Sequence, residues 1–183
     1  MTSTSSAFGY LWLIPALPLA GAVVNLFVGK RLGRFAGILA SGAMAVAFIL
    51  SAVLVKDLVS LPADGRLVVR HLFDWISVGN LHVAADLRLD QISAIMILVV
   101  TGIGTLIHVY AIGYMDGDPR FGRFFSYLNL FVFFMLMLVL GQNLLLLYLG
   151  WEGVGLCSYL LIGFWFDRPE AAVAAKKAFI TTR

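Results

Sequence analysis

Glu152 lies inside Leu144–Phe166, LLLLYLGWEGVGLCSYLLIGFWF, a run of 23 residues in which it is the only ionisable side chain apart from tyrosine and cysteine. Read as one helix at roughly 1.5 Å per residue, the run measures about 34 Å, enough to cross a hydrocarbon core of about 30 Å. A charged group at that depth costs on the order of 2.5–3.5 kcal/mol on insertion scales, so acids found there face a bundle interior, pair with a cation, or carry protons. In such surroundings carboxylate and neutral acid are closely balanced against local charge, and a modest change nearby loads or unloads a proton. That is the chemistry of a proton relay.

Two further groups of residues fit the same chemistry. Tyr148, Glu152, Gly155 and Tyr159 recur at i, i+4, i+7 and i+11, which sets two phenols beside the carboxylate on one helical face, where they would line a short water chain. Gly150, Gly153 and Gly155 remove bulk around the acid, leaving room either for a neighbouring helix or for water. The plain alternative is that Glu152 only pins helix packing through one hydrogen bond. Thr101, Thr105 and His108 also share a face, and histidine titrates near neutral pH, so His108 is either a relay or a hydrogen-bonded core residue. Haem is disfavoured, because a bis-His site needs a second histidine at membrane depth and His71 and His82 lie elsewhere. No phosphate loop, CxxC pair or nucleophile triad is present, and Cys157 has no partner cysteine. No cofactor is expected in this chain.

The elements that position these groups are membrane helices. The chain is 61% hydrophobic and 13% charged, with a mean hydropathy of +0.96, which excludes a soluble domain. Apolar stretches at Tyr10–Gly29, Phe35–Val55, Gln91–Gly113, Phe124–Leu140 and Leu144–Phe166 each approach bilayer-spanning length. The fold class expected is an all-α polytopic bundle of five full transmembrane helices plus the start of a sixth, forming one domain over 1–183. Met1–Gly9 carries no Lys or Arg, so the first stretch reads as a retained membrane helix and not a secretory signal.

Lys56–Asp90 differs in character, with five Asp and four basic residues, and forms an extramembrane loop. Its apolar alternation from Leu81 to Leu89, and an earlier extended run over Leu67–Ser77 before Gly79-Asn80, predict a β-hairpin on the outer membrane face. Asp90 is placed to cap the third span. Gly141-Gln142-Asn143 is short enough to make spans four and five antiparallel neighbours. Pro169 begins a helical segment, EAAVAAKKAFITTR, and the chain stops within it, so a longer parent is expected.

Lys and Arg counts give an orientation. One side receives nine, Lys30, Arg31, Arg34, Arg120, Arg123, Arg168, Lys176, Lys177 and Arg183; the other receives four, Lys56, Arg66, Arg70 and Arg88. The N-terminus is therefore expected outside a bacterial inner membrane. The net charge of +3 follows from this topology and calls for no nucleic acid.

The strings LRLDQISAIM, LIHVYAIGYM, RFFSYLNLFVFFMLMLVLGQ, NLLLLYLGWEGVGLCSYLLIGFWF and KAFITTR closely resemble the subunit L family of bacterial respiratory complex I, strongly over Asp90–Arg183. The resemblance implies an antiporter-like, proton-translocating subunit of NADH:quinone oxidoreductase, driven by redox chemistry elsewhere in the complex. It implies that Glu152 pairs with a lysine on a later helix, with Lys177 and Arg183 as nearer candidate charge partners. It also implies membrane-arm partners, above all a neighbouring antiporter-like subunit, and that this sequence holds about the first third of such a chain. A subunit of a multisubunit cation/proton antiporter shares the glutamate motif and is the alternative, beside a packed segment that moves no ions.

Overall fold

The computed structural model describes residues 6–79 and 81–182. A 3-10 turn at Ser6–Tyr10 leads into α1 (Leu13–Leu32), followed by α2 (Phe35–Val59), strands β1 (Val68–Val78) and β2 (Leu81–Leu89), then α3 (Gln91–Tyr114), α4 (Phe121–Leu140), α5 (Leu144–Ile162) and α6 (Pro169–Thr181). Among the described residues, five segments are long and apolar enough to cross a membrane: Ala7–Leu32, Phe35–Val59, Gln91–Tyr114, Phe121–Leu140 and Leu144–Ile162. The protein is a multi-pass helical bundle with a two-stranded antiparallel hairpin, as expected.

In hydrocarbon there is no hydrophobic drive for helices to meet, so they associate where small residues let backbones approach and where polar side chains bond across. Both devices converge on α4, which packs against α1, α2, α3 and α5. Gly29 on α1 and Gly122 on α4 cross so closely that a methyl group added at Gly122 would sit 2.8 Å from the Gly29 Cα. The Ser126 hydroxyl donates to the Ala22 carbonyl of α1 at 2.8 Å, and Asn25 Nδ2 donates to the Ala36 carbonyl of α2 at 3.2 Å.

Most boundaries shift from the sequence reading by one to four residues, as at α1 (Leu13–Leu32 for Tyr10–Gly29) and the end of α2 (Val59 for Val55); the end of α5 changes the chain's direction. The fifth helix ends at Ile162 and not at Phe166, so it has 19 residues. Gly163 closes it with its N–H bonded to Tyr159, and Phe164–Phe166 turn back over the start of α4. There Phe164 and Phe166 lie 5.6 and 4.8 Å from the Arg120 guanidinium, which also bonds Asp167 at 3.1 Å. The aromatic residues are apolar enough to continue a span, but the cation beside them gives them a better partner at its end.

The hairpin is tied to the bundle through β2. Ala85, Leu87 and Leu89 are buried from it, and the turn between α4 and α5 bonds to its edge: Gln142 N–H donates to the Asp86 carbonyl at 3.0 Å, and Asn143 Nδ2 to the Ala84 carbonyl at 2.7 Å. Asn143 uses its Oδ1 to accept from Leu146 N–H and so caps α5 with the same side chain. Its turn residue Asn80 lies outside the described residues.

β2 passes directly into the Asp90 cap of α3. The Asp90 carboxylate accepts from Ser93 N–H at 2.9 Å and from Ile92 N–H at 3.1 Å, while Ser93 Oγ accepts from the Asp90 N–H, a reciprocal capping box. The Ser93 backbone hydrogen bond, supported by the Ser93 hydroxyl, Arg88 and Ile92, holds the Asp90 carboxyl below its ordinary range despite partial burial. A depressed carboxyl favours the folded state when ionised, so its contribution is complete above about pH 4 and fades as pH falls through the lower folded value. Asp90→Ala is expected to cost about 0.5–2 kcal/mol at neutral pH and to reduce the acid-side loss of stability, measured by thermal unfolding in detergent between pH 3 and 7.

Candidate functional site

α4 separates the two polar groups singled out in the sequence. On one face Asn129 points at His108 of α3; nine residues on, two and a half turns away, Leu138 faces α5. The His108 and Glu152 groups therefore sit on different flanks of one helix.

His108 is fully buried. Its Nδ1–H donates to the Gly104 carbonyl one turn back, at 2.7 Å, and its Nε2 lies 3.0 Å from the Asn129 carboxamide. The Asn129 oxygen faces the ring while its Nδ2 has no hydrogen-bond partner among the described residues. Two protonation patterns satisfy this arrangement. An imidazolium donates from both nitrogens, whereas a neutral ring accepts at Nε2 from an Asn129 amide turned end for end, the two amide ends being alike in shape. The pair can thus hold or release one proton with only a carboxamide rotation. Gly21 of α1 makes the space for that amide, since a methyl group there would meet Asn129 Nδ2 at 2.5 Å. The Thr101 and Thr105 hydroxyls bond back to the Ile97 and Thr101 carbonyls of their own helix.

Asn129 is the partner of His108 that the sequence reading passed over. The signal was present: Ser126 and Asn129 are polar residues one turn apart in an otherwise apolar span, and intramembrane polar side chains seek partners across helices.

Glu152 is half-buried on α5, on the flank turned towards α6. The glycines around it divide by direction. Gly150 and Gly153 lie against α4, where a methyl group would strike the Leu138 backbone in the first case and the Phe134 ring in the second. Gly155 faces α6, with the Thr182 hydroxyl 3.5 Å from where its methyl group would stand. Close helix approach, and not a water-filled space, accounts for Gly150 and Gly153.

α6 returns along α5 and brings the chain back to the level of Glu152. Trp151 Nε1 donates to the Thr182 carbonyl at 3.1 Å, and the Tyr159 and Phe179 rings pack 5.5 Å apart. Tyr148 and Tyr159 are 59% and 36% exposed, so the face they share with Glu152 stays partly open on either side of the contact at Gly155. Lys177 is exposed on α6 and forms no ion pair among the described residues. Arg183 lies outside them. Cys157 is buried and free, a small filler. No cluster of metal-ligating side chains occurs among the described residues.

A family described as "NADH-Ubiquinone oxidoreductase (complex I), chain 5 N-terminus" matches residues 75–125, and one described as "NADH:quinone oxidoreductase/Mrp antiporter, TM" matches residues 141–183. NADH-quinone oxidoreductase subunit L of Mycobacterium tuberculosis is 48% identical over 181 residues, 99% of this chain and 29% of the relative. The Escherichia coli subunit L is 46% identical over 169 residues, covering 91% of this chain and 27% of the relative. The chain belongs with the N-terminal portion of the subunit L family.

A chain of the Mrp complex from a Dietzia species shares the subunit L fold seen here, with a TM-score of 0.74 at 24% identity, covering 93% of this chain and 17% of that one. The chain spans under a third of the length of the subunit L relatives it matches. The matched stretch 141–183 contains both Glu152 and the returning α6, and 75–125 contains His108.

The His108–Asn129 bond joins α3 to α4, and its strength is measurable as a coupling. A double-mutant cycle of His108→Ala and Asn129→Ala, read by unfolding in mixed micelles, is expected to give an interaction of about 0.6 kcal/mol, up to about 1.7, in line with other intramembrane hydrogen bonds. Additive single effects would show that the pair does not bond.

Proposed function

We propose that this chain is the N-terminal part of a proton-translocating membrane subunit of NADH:quinone oxidoreductase, with Glu152 as its titrating group. The observation that carries this reading is a carboxylate at mid-span on α5, within the stretch that matches the NADH:quinone oxidoreductase/Mrp family. The names of the relatives supply the reaction, electron transfer from NADH to quinone, which takes place elsewhere in the complex.

The step assigned to this chain is electrostatic. A cation drawn close to Glu152 stabilises its carboxylate and releases the proton; its withdrawal favours uptake. Each tenfold change in proton affinity corresponds to about 1.36 kcal/mol, so displacement of one charge in a low-dielectric interior is enough to move the site by several decades. Lys177 and Arg183 on the returning segment are the candidate partners within this sequence. Tyr148 and Tyr159 flank the acid on its partly open face, where a covering helix would enclose a water chain. His108 with Asn129 is a second proton-holding pair on the far side of α4.

The proposed setting is a bacterial inner membrane, with the N-terminus, the hairpin and the α4–α5 turn outside. The excess of Lys and Arg on the opposite side supports it. The proposed partners are membrane-arm subunits, including an adjacent antiporter-like subunit. The second reading, a subunit of a cation/proton antiporter, is favoured by the shared fold and by the family description that names both systems.

Glu152→Gln in a subunit of the relatives' full length, assembled in its complex in proteoliposomes, is expected to lower the number of protons exported per NADH oxidised. Unchanged stoichiometry would remove Glu152 from the path. Sodium-dependent transport without quinone reduction would favour the antiporter reading.

A further inference from the structure

A second site lies towards the end of α5, its near edge at Tyr159, about two turns beyond Glu152. The start of α4, the end of α5 and the first turns of α6 enclose a cleft of about 220 Å³. Its walls are apolar and aromatic, with Phe164, Phe166 and Leu160 among them, and four residues with polar tips also line it: Arg123, Tyr127, Tyr159 and Lys176.

Among the described residues, Arg123 and Lys176 form no ion pair or hydrogen bond, and the Tyr127 and Tyr159 hydroxyls have no hydrogen-bond partner. The nearby carboxylates are already committed. Asp167 binds Arg120 at 3.1 Å, and Asp118 accepts from Trp165 Nε1 at 3.1 Å and from Arg120 N–H at 2.7 Å. Glu170, at the start of α6, makes no ion pair with either cation among the described residues.

The depth of the cleft matters as much as its charge. Arg123 is two residues into α4, Tyr159 three residues from the end of α5, and Lys176 seven residues into α6, roughly 10 Å along its axis. All lie within about two turns of the helix ends, the layer in which lipid headgroups sit and into which Lys and Arg extend from apolar surfaces. Two uncompensated cations and two phenol donors above an aromatic, apolar wall match a molecule with an anionic head and a hydrocarbon body.

We propose that the cleft between α4, α5 and α6 binds an anionic phospholipid, its phosphate held by Arg123, Lys176, Tyr127 and Tyr159 and an acyl chain lying against Leu160, Phe164 and Phe166. Basic pockets between transmembrane helices recognise headgroups by this combination. The bound lipid would anchor α6 against α5, with the phosphate bridging cations that would otherwise repel.

Native mass spectrometry of the chain in mild detergent, titrated with phosphatidylglycerol or phosphatidylcholine, tests this. One phosphatidylglycerol is expected to bind in preference to phosphatidylcholine. Arg123→Gln and Lys176→Gln are expected to weaken it by roughly fivefold each. Lys30→Gln with Arg31→Gln removes the same charge from the same side and is expected to leave binding unchanged. Equal loss in both pairs would reduce the effect to surface charge and overturn the site. In the unaltered chain, hydrogen exchange over 159–176 is expected to slow in phosphatidylglycerol nanodiscs relative to phosphatidylcholine ones; equal exchange would also overturn it.

Discussion

Helices in hydrocarbon cannot rely on water to drive them together, so close backbone approach and interhelical hydrogen bonds must hold the bundle. In this protein both are gathered on α4. Gly29 and Gly122 let α1 cross it at backbone contact, Gly150 and Gly153 let α5 lie against Leu138 and Phe134, and Ser126 and Asn129 bond to α1 and α3. A side chain larger than glycine at Gly122 or Gly150 would meet main-chain atoms, which cannot move aside as a flexible side chain can. α1 and α5 are thereby fixed against α4, while α2 and α3 also pack on each other and α6 on α5.

One consequence is chemical. Because α4 is tightly held on opposite faces, it acts as a partition between polar groups that a linear reading treats as one set. His108 and Asn129 form a fully buried pair, with Gly21 leaving room for the amide. Glu152 stands on the partly open flank, beside phenols and a returning helix. A fully buried pair suits a structural hydrogen bond, while a half-buried carboxylate beside a returning helix stands in a different environment.

The hairpin extends the same constraint beyond the hydrocarbon. The α4–α5 turn would leave unpaired backbone groups at the membrane edge, and β2 satisfies them through the Asp86 carbonyl, which accepts from Gln142 N–H, and the Leu87–Gly141 bridge. Asn143 serves two elements at once, capping α5 and bonding β2. At the opposite end no strand is available, and aromatic residues over Arg120 take the equivalent place.

The sequence by itself determined the elements, because bilayer thickness and strand pleat impose lengths and periods that composition displays. Five apolar runs, the alternation from Leu81 to Leu89, the Asp90 cap and Pro169 at the start of α6 all appear in the structure at or near their expected positions. Local signals also marked Glu152 and His108, since an ionisable group in an apolar run stands out without any knowledge of its neighbours. What only the tertiary structure decided was direction and partnership. Helical spacing puts Tyr148, Glu152, Gly155 and Tyr159 on one face but does not say whether that face meets α4 or α6. Nor does it say that Asn129 reaches His108, or that Phe164–Phe166 leave the helix for a cation 44 residues earlier in the chain. Those outcomes depend on contacts between residues distant in sequence, and the small-residue crossings on α4 fix which of them can form.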